Sequence, residues 1–113
     1  MRFEDLDVRK RAARLSTAVY QQLTNCRDFG FKDQITRSAL SIASNIAEGY
    51  ERATYRDGIK FLTYAKGSSG EFRTQVYVGM EAGFIDPEVG RHWVAESKAI
   101  SMMLYRLIES FSA

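Results

Sequence analysis

Apolar positions along the chain recur at the spacing of helices, not of strands. Val8, Ala12, Leu15, Val19 and Leu23 fall at intervals of 4, 3, 4 and 4, which keeps them on one helical face. Ile35, Ala39, Ile42 and Ile46 repeat the pattern at 4, 3 and 4. Tyr55, Ile59, Leu62, Ser69, Phe72, Val76 and Met80 trace a long third stripe. Val89, Trp93, Ile100, Met103, Leu104, Leu107, Ile108 and Phe111 trace a fourth. Punctuation residues separate the stripes. Gly30 reads as a stop, Asp33 as a fresh N-cap and Gly49 as the end of the second helix. Thr54 with Asp57 resembles a capping box, Asp replacing the usual Glu or Gln. Gly83 suits a C-cap, and Asp86-Pro87 is a capping carboxylate followed by proline at the first helical position. The pattern predicts helices over about 5–27, 33–49, 54–82 and 86–112 in a single domain spanning 1–113. Short loops force neighbouring helices to run antiparallel. The expected fold is all-α, an antiparallel up-down four-helix bundle.

A polar repeat runs beside the second stripe: Gln34, Ser38, Ser41, Asn45 and Glu48. The third helix carries Lys66-Gly67-Ser68-Ser69-Gly70, with Gly58 and Gly79 on either side. An interior glycine costs a helix about 1 kcal/mol against alanine. Either the helix breaks at Gly67–Gly70, or close packing recovers the loss. Small residues on both helices favour packing, with Arg37, Asn45, Glu48, Ser68 and Glu71 in a shared polar network. On this reading Glu48 and Glu71 are structural carboxylates paired with Arg37 or Arg73, not an acid/base couple. Gly-Ser-Ser-Gly is no P-loop, because the Gly-Lys-Ser/Thr ending and the preceding strand are missing.

Two helices carry more apolar residues than one stripe needs. Leu40, Ala43 and Ala47 supplement the second, and Met102-Met103-Leu104-Tyr105 covers most of the fourth. Apolar surface beyond one stripe calls for a second partner, so self-association is expected.

Composition narrows the chemistry. The 113 residues include one Pro, one Cys and one His. Cys26 has no disulfide partner in the chain and supports no zinc spacing; it reads as a small hydrophobe in a reducing compartment. His92 rules out paired Glu-x-x-His motifs, and its neighbours Arg91 and Trp93 suggest no nucleophile. The expectation is a protein that is not an enzyme, with no metal and no cofactor. No apolar run reaches the ~20 residues of a membrane span, and the N-terminus lacks an apolar signal core. A cytoplasmic location without membrane contact follows as the expectation.

Net charge is only +2, from 16 basic and 14 acidic residues. The basic residues gather in two places. Arg9, Lys10, Arg11 and Arg14 lie on the first helix, with Asp5 and Asp7 placed to pair with Arg9 and Arg11. Arg52, Arg56 and Lys60 are spaced by four into the third helix. These seven are the candidate phosphate contacts. A ring of copies would repeat each cluster, so that weak, salt-sensitive contacts add. No stacking platform or recognition motif is evident, which leaves shape and charge as the means of binding.

The segment from Gln34 to Gly49, containing Arg37-Ser38-Ala39, Ser41-Ile42 and Asn45-Ile46-Ala47-Glu48-Gly49, and then Phe61-Leu62, Tyr64-Ala65-Lys66-Gly67-Ser68 and Glu71, resembles the four-helix-bundle family of ribosomal-RNA intervening-sequence proteins. Tyr64 and Phe72 stand where aliphatic residues are more usual. The resemblance implies a ring-like homopentamer of four-helix protomers without enzymatic activity. It also implies kinship with the accessory proteins of diversity-generating retroelements, basic barrels that bind nucleic acid and a reverse transcriptase. The resulting expectation is a non-enzymatic homo-oligomer with charge-driven binding of nucleic acid, RNA ahead of DNA. The alternative is a protein-interaction scaffold for a partner such as a polymerase.

Overall fold

In the computed structural model, which describes residues 6–112, each apolar stripe becomes the inner face of one helix. The helices are α1 (Asp7–Gln22), α2 (Phe29–Glu51), α3 (Tyr55–Ala82) and α4 (Pro87–Ser112). Each packs on its neighbour in sequence, and α1 closes on α4; among the described residues the backbones of diagonal pairs stay apart. This is an all-α, up-down bundle. The expected start of the first helix at residue 5 lies outside the described residues.

The core is continuous. Val8, Ala12, Leu15, Val19 and Leu23 are buried, as are Ile35, Ala39, Ile42 and Ile46. Leu62, Phe72, Val76, Trp93, Ile100 and Leu104 join them from α3 and α4. Phe72 and Trp93 meet with ring centroids 6.2 Å apart, tilted by 46°. Burying a side chain of this size contributes about 1.5–3 kcal/mol, so each stripe supplies several such terms. Only part of the surplus apolar surface is absorbed here. Ala43 and Met103 are half-buried against the core and Leu104 is fully buried. Leu40, Met102 and Tyr105 remain outside, 47%, 53% and 51% exposed.

The helix ends follow capping chemistry, and three of them differ from the expected bounds. α2 begins at Phe29, not at residue 33. Asp28 is its N-cap, and its Oδ1 accepts a hydrogen bond from the Phe31 N–H at 3.0 Å. Gly30 therefore sits in a first turn, where a capping carboxylate outweighs its poor propensity. Asp33 instead pairs with Arg37 one turn on. The first helix stops at Gln22, short of residue 27, and α2 runs past Gly49 to Glu51. Thr54 Oγ1 accepts from the Asp57 N–H at 3.1 Å. Gly83 adopts φ +83°, the left-handed conformation glycine reaches without strain. There the N–H groups of Phe84 and Ile85 both donate to the Gly79 carbonyl. Asp86 Oδ1 accepts from the Glu88 N–H at 2.8 Å.

The α3 helix is unbroken through Gly67–Gly70. Its 28 residues span ~42 Å at 1.5 Å per residue, matching the 43 Å long axis of the bundle. Close packing recovers the glycine cost at only some positions. A Cβ on Gly58 would lie 2.7 Å from Phe111 Cε2, and one on Gly79 2.5 Å from Ile85 Cδ1. Gly67 has open space around it, and Gly70 has only Arg73 Nη2 at 4.0 Å.

Among the described residues, no helix is long and apolar enough to cross a membrane.

Candidate nucleic-acid interface

The corner where α2 turns into α3 collects both cations and rings. Arg52 ends α2 as its C-cap and donates from Nη2 to Glu48 Oε1 at 2.8 Å. Its guanidinium also lies over the Phe61 ring, 4.3 Å from the centroid. Phe61 meets Tyr64 edge to face at 5.5 Å, and Lys60 Nζ stands 6.0 Å from the Tyr64 centroid. The result is a run of contacts across the corner, cation to ring to ring to cation, from Arg52 through Phe61 and Tyr64 to Lys60. The i, i+4 spacing of Lys60 and Tyr64 places them on one face. Rings under cations hold them by the ring quadrupole, at about 0.5–1 kcal/mol when exposed. Tyr55 opens the helix 72% exposed and packs edge to face on Phe111, which also meets Tyr50. Burial raises the Tyr50 phenol above its ordinary pKa, so it stays neutral at physiological pH.

The three basic candidates at this corner differ. Arg52 is committed to Glu48 and Phe61. Arg56 and Lys60 are exposed and form no ion pair among the described residues. This grouping of cations and rings departs from the expectation of no stacking platform. Its signal was present: Phe61 and Tyr64 lie one and four residues beyond Lys60.

The α1 cluster is also divided. Arg11 does not depend on Asp7 alone but reaches across to α4. Its Nε and Nη2 donate to Glu96 Oε2 and Oε1 at 2.9 and 2.7 Å, a bidentate pair. That hydrogen bond is the main reason the Glu96 carboxyl is lowered and the Arg11 guanidinium raised from their ordinary values. Arg14 is exposed, while Lys10 and Arg9 are half-buried. Asp5 lies outside the described residues.

The expected shared network divides as well. Ser41 and Ser68 join α2 to α3 through their hydroxyls at 2.5 Å, and Asn45 Nδ2 donates back to the Ser41 carbonyl at 2.9 Å. Ser38 bonds Gln75. Arg37, Glu48 and Glu71 are outside this seam. Arg37 pairs with Asp33, Glu48 pairs with Arg52, and Glu71 is exposed. Neither glutamate is the buried carboxylate expected for Arg37 or Arg73, because the seam is lined by hydroxyls and amides. A second polar cluster, between α3 and α4, was not foreseen. Ser69 and Ser97 are fully buried. Each hydroxyl donates to the other's backbone carbonyl, at 3.1 and 3.0 Å. Arg73 Nη1 donates to Ser97 Oγ at 3.0 Å, and Ser101 donates to Ser69 Oγ at 2.9 Å.

Among the described residues, no group of His, Cys, Asp or Glu could hold a metal ion. His92 is exposed and Cys26 half-buried, with its Sγ 3.8 Å from the Asp28 carbonyl.

Geometry and surface chemistry define a helical-bundle protein with exposed cations beside rings at its α2–α3 corner. The chain belongs to the 23S rRNA-intervening sequence protein family, whose model matches residues 4–106. A similar solved structure is the 1.70 Å crystal structure of a protein of unknown function from the S23 ribosomal protein family of Bacteroides thetaiotaomicron. It is 24% identical, superimposes with a TM-score of 0.84, and the match covers 89% of this chain and 97% of that one. At that identity the likeness shows the fold. No curated protein matches the chain. The family carries no known catalytic activity.

Proposed function

We propose that the protein is a non-enzymatic nucleic-acid-binding bundle, acting as a homo-oligomer with RNA as its main ligand. The carrying observation is the α2–α3 corner, where exposed Lys60 stands beside the Tyr64 ring, Tyr64 meets Phe61, and exposed Arg56 lies one turn before Lys60, neither cation in an ion pair among the described residues. Cations contact phosphates regardless of sequence, and ring faces accept unstacked bases. Arg14 and Lys10 supply further positive charge on α1, whereas Arg11 and Arg52 serve the fold first. Self-association draws support from exposed Leu40 on α2 and from the family resemblance, which implies a pentameric ring. In a ring the corner recurs once per protomer, so a net charge of +2 per chain becomes a repeated basic surface.

The test is binding of a structured RNA at about 50 mM salt, followed by a salt titration. Affinity should fall steeply with salt. Arg56→Glu with Lys60→Glu should weaken binding to all sequences alike. Absence of salt-sensitive binding to RNA or DNA would overturn the reading. The scaffold alternative predicts a stable protein partner, such as a polymerase, whose capture survives nuclease treatment.

A further inference from the structure

The groove between α3 and α4 gathers Lys66, Arg73 and Lys98 around Ser101, Met102 and Tyr105, with a volume of about 480 Å³. Among the described residues, no carboxylate lines it. Three cations facing one groove repel one another. Arg73 is nonetheless held in place. Its Nη1 donates to Ser97 Oγ at 3.0 Å and, more weakly, towards Ser101 Oγ at 3.4 Å. Those hydroxyls are themselves fixed by the buried Ser69–Ser97 pair. The serines accept from Arg73 without neutralising it. Its Nε and Nη2 are left to bond something else, and Gly70 leaves the space beside Nη2 open.

From this we infer that the α3–α4 groove binds a nucleotide unit, its phosphate on Arg73, Lys66 and Lys98 and its base against Tyr105 and Met102. A guanidinium fork matches phosphate oxygens two at a time, and two flanking ammonium groups suit a dianion better than a single carboxylate. Tyr105 and Met102, each about half-exposed, give a flat ring and a polarisable thioether as the apolar wall for a planar body. A two-fold contact of this face with itself would bring two sets of cations together and is disfavoured; in a ring, a different face of the neighbour would meet it. This site is separate from the Arg56–Lys60 corner, so either can fail without the other.

The experiment is a titration of the full chain with adenosine 5′-monophosphate, adenosine and inorganic phosphate, followed by NMR of the Arg73 Nε–Hε and the Tyr105 ring, with calorimetry. The monophosphate should shift both signals and bind about tenfold or more tightly than phosphate or adenosine alone. Arg73→Gln should lose that affinity. Lys98→Glu, at an exposed position, should weaken it similarly without touching the serine cluster. Tyr105→Ala should weaken the monophosphate but not phosphate. Arg56→Glu with Lys60→Glu should leave nucleotide binding intact while lowering RNA affinity. A 5′-phosphorylated oligonucleotide that binds more tightly than the monophosphate would make a strand end the source of the unit; equal affinity would make it the free nucleotide. No shift at millimolar monophosphate would overturn the proposal. So would protection of Tyr105 by a second copy, with Arg73→Gln dissociating the oligomer.

Discussion

Gly49 and Gly58 bring the backbones of α2 and α3 into direct contact. A Cβ on Gly49 would sit 3.1 Å from the Gly58 carbonyl oxygen, and one on Gly58 would sit 2.9 Å from that of Gly49. A backbone oxygen cannot turn aside as a side chain can, so this approach depends on glycine at both positions. Gly58→Ala should destabilise the bundle by about 1–3 kcal/mol through overpacking. Gly67→Ala, in open space within the same helix, should stabilise it by about 1 kcal/mol. Denaturant unfolding of the two variants checks the contrast; equal effects would contradict the assignment of close contact to Gly58.

The buried hydroxyl cluster should behave as one unit. Ser97 Oγ donates to the Ser69 carbonyl and accepts from Arg73. Ser97→Ala removes both bonds and leaves Arg73 Nη1 only its longer contact to Ser101, at a cost of about 1 kcal/mol. In a double-mutant cycle, Ser69→Ala and Ser97→Ala should be clearly non-additive.

The Arg11–Glu96 pair ties α1 to α4 and makes stability depend on acid. The Glu96 carboxyl is lowered in the folded state, chiefly by its hydrogen bond to Arg11 and against the opposing effect of burial. Its stabilisation is therefore complete above the ordinary carboxyl pKa near 4.5 and is lost as pH falls through the lower folded value. Because Arg11 is more than a third exposed, solvent screening keeps the pair to about 1 kcal/mol. Glu96→Gln should remove that contribution and flatten this part of the pH–stability curve below neutrality, measured by thermal unfolding across pH.

The aromatic half of the α2–α3 corner has its own signature. Tyr64→Ala should weaken single-stranded RNA binding by about 1–3 kcal/mol, the range for losing one stacked base. It should leave the slope of log affinity against log salt unchanged, since no phosphate contact is lost. Lys60→Gln should reduce that slope by about one. Filter binding across a salt series separates the two.

Much of the bundle could be read from spacing because a helix writes its inner face into the sequence. Ile35, Ala39, Ile42 and Ile46 are buried where their periodicity puts them, and Thr54, Gly83 and Asp86 act at the ends they mark. The start of α2 was harder to read because Gly30 carries two meanings: it ends helices, and it is tolerated in a first turn once Asp28 caps it. The site was less legible. Arg11 and Glu96 are 85 residues apart, and Ser69 and Ser97 are 28 apart. Only the fold brings such partners together, so local spacing offered Asp7 for Arg11 and a carboxylate for Arg73. The same limit hid the Arg52–Phe61 stack, since a helix end and a new helix must turn to face each other first.

The four helices are unequal. α1 has 16 residues against 23, 28 and 26 in the others, and it meets α4 more sparingly than any other adjacent pair meets. At the open end of that seam, Leu6 and Val8 look across a groove to Met103 and Leu107. The bundle therefore has a built-in order of undoing. The short stave loosens first, exchanging its amide protons and meeting proteases while the longer three still hold together.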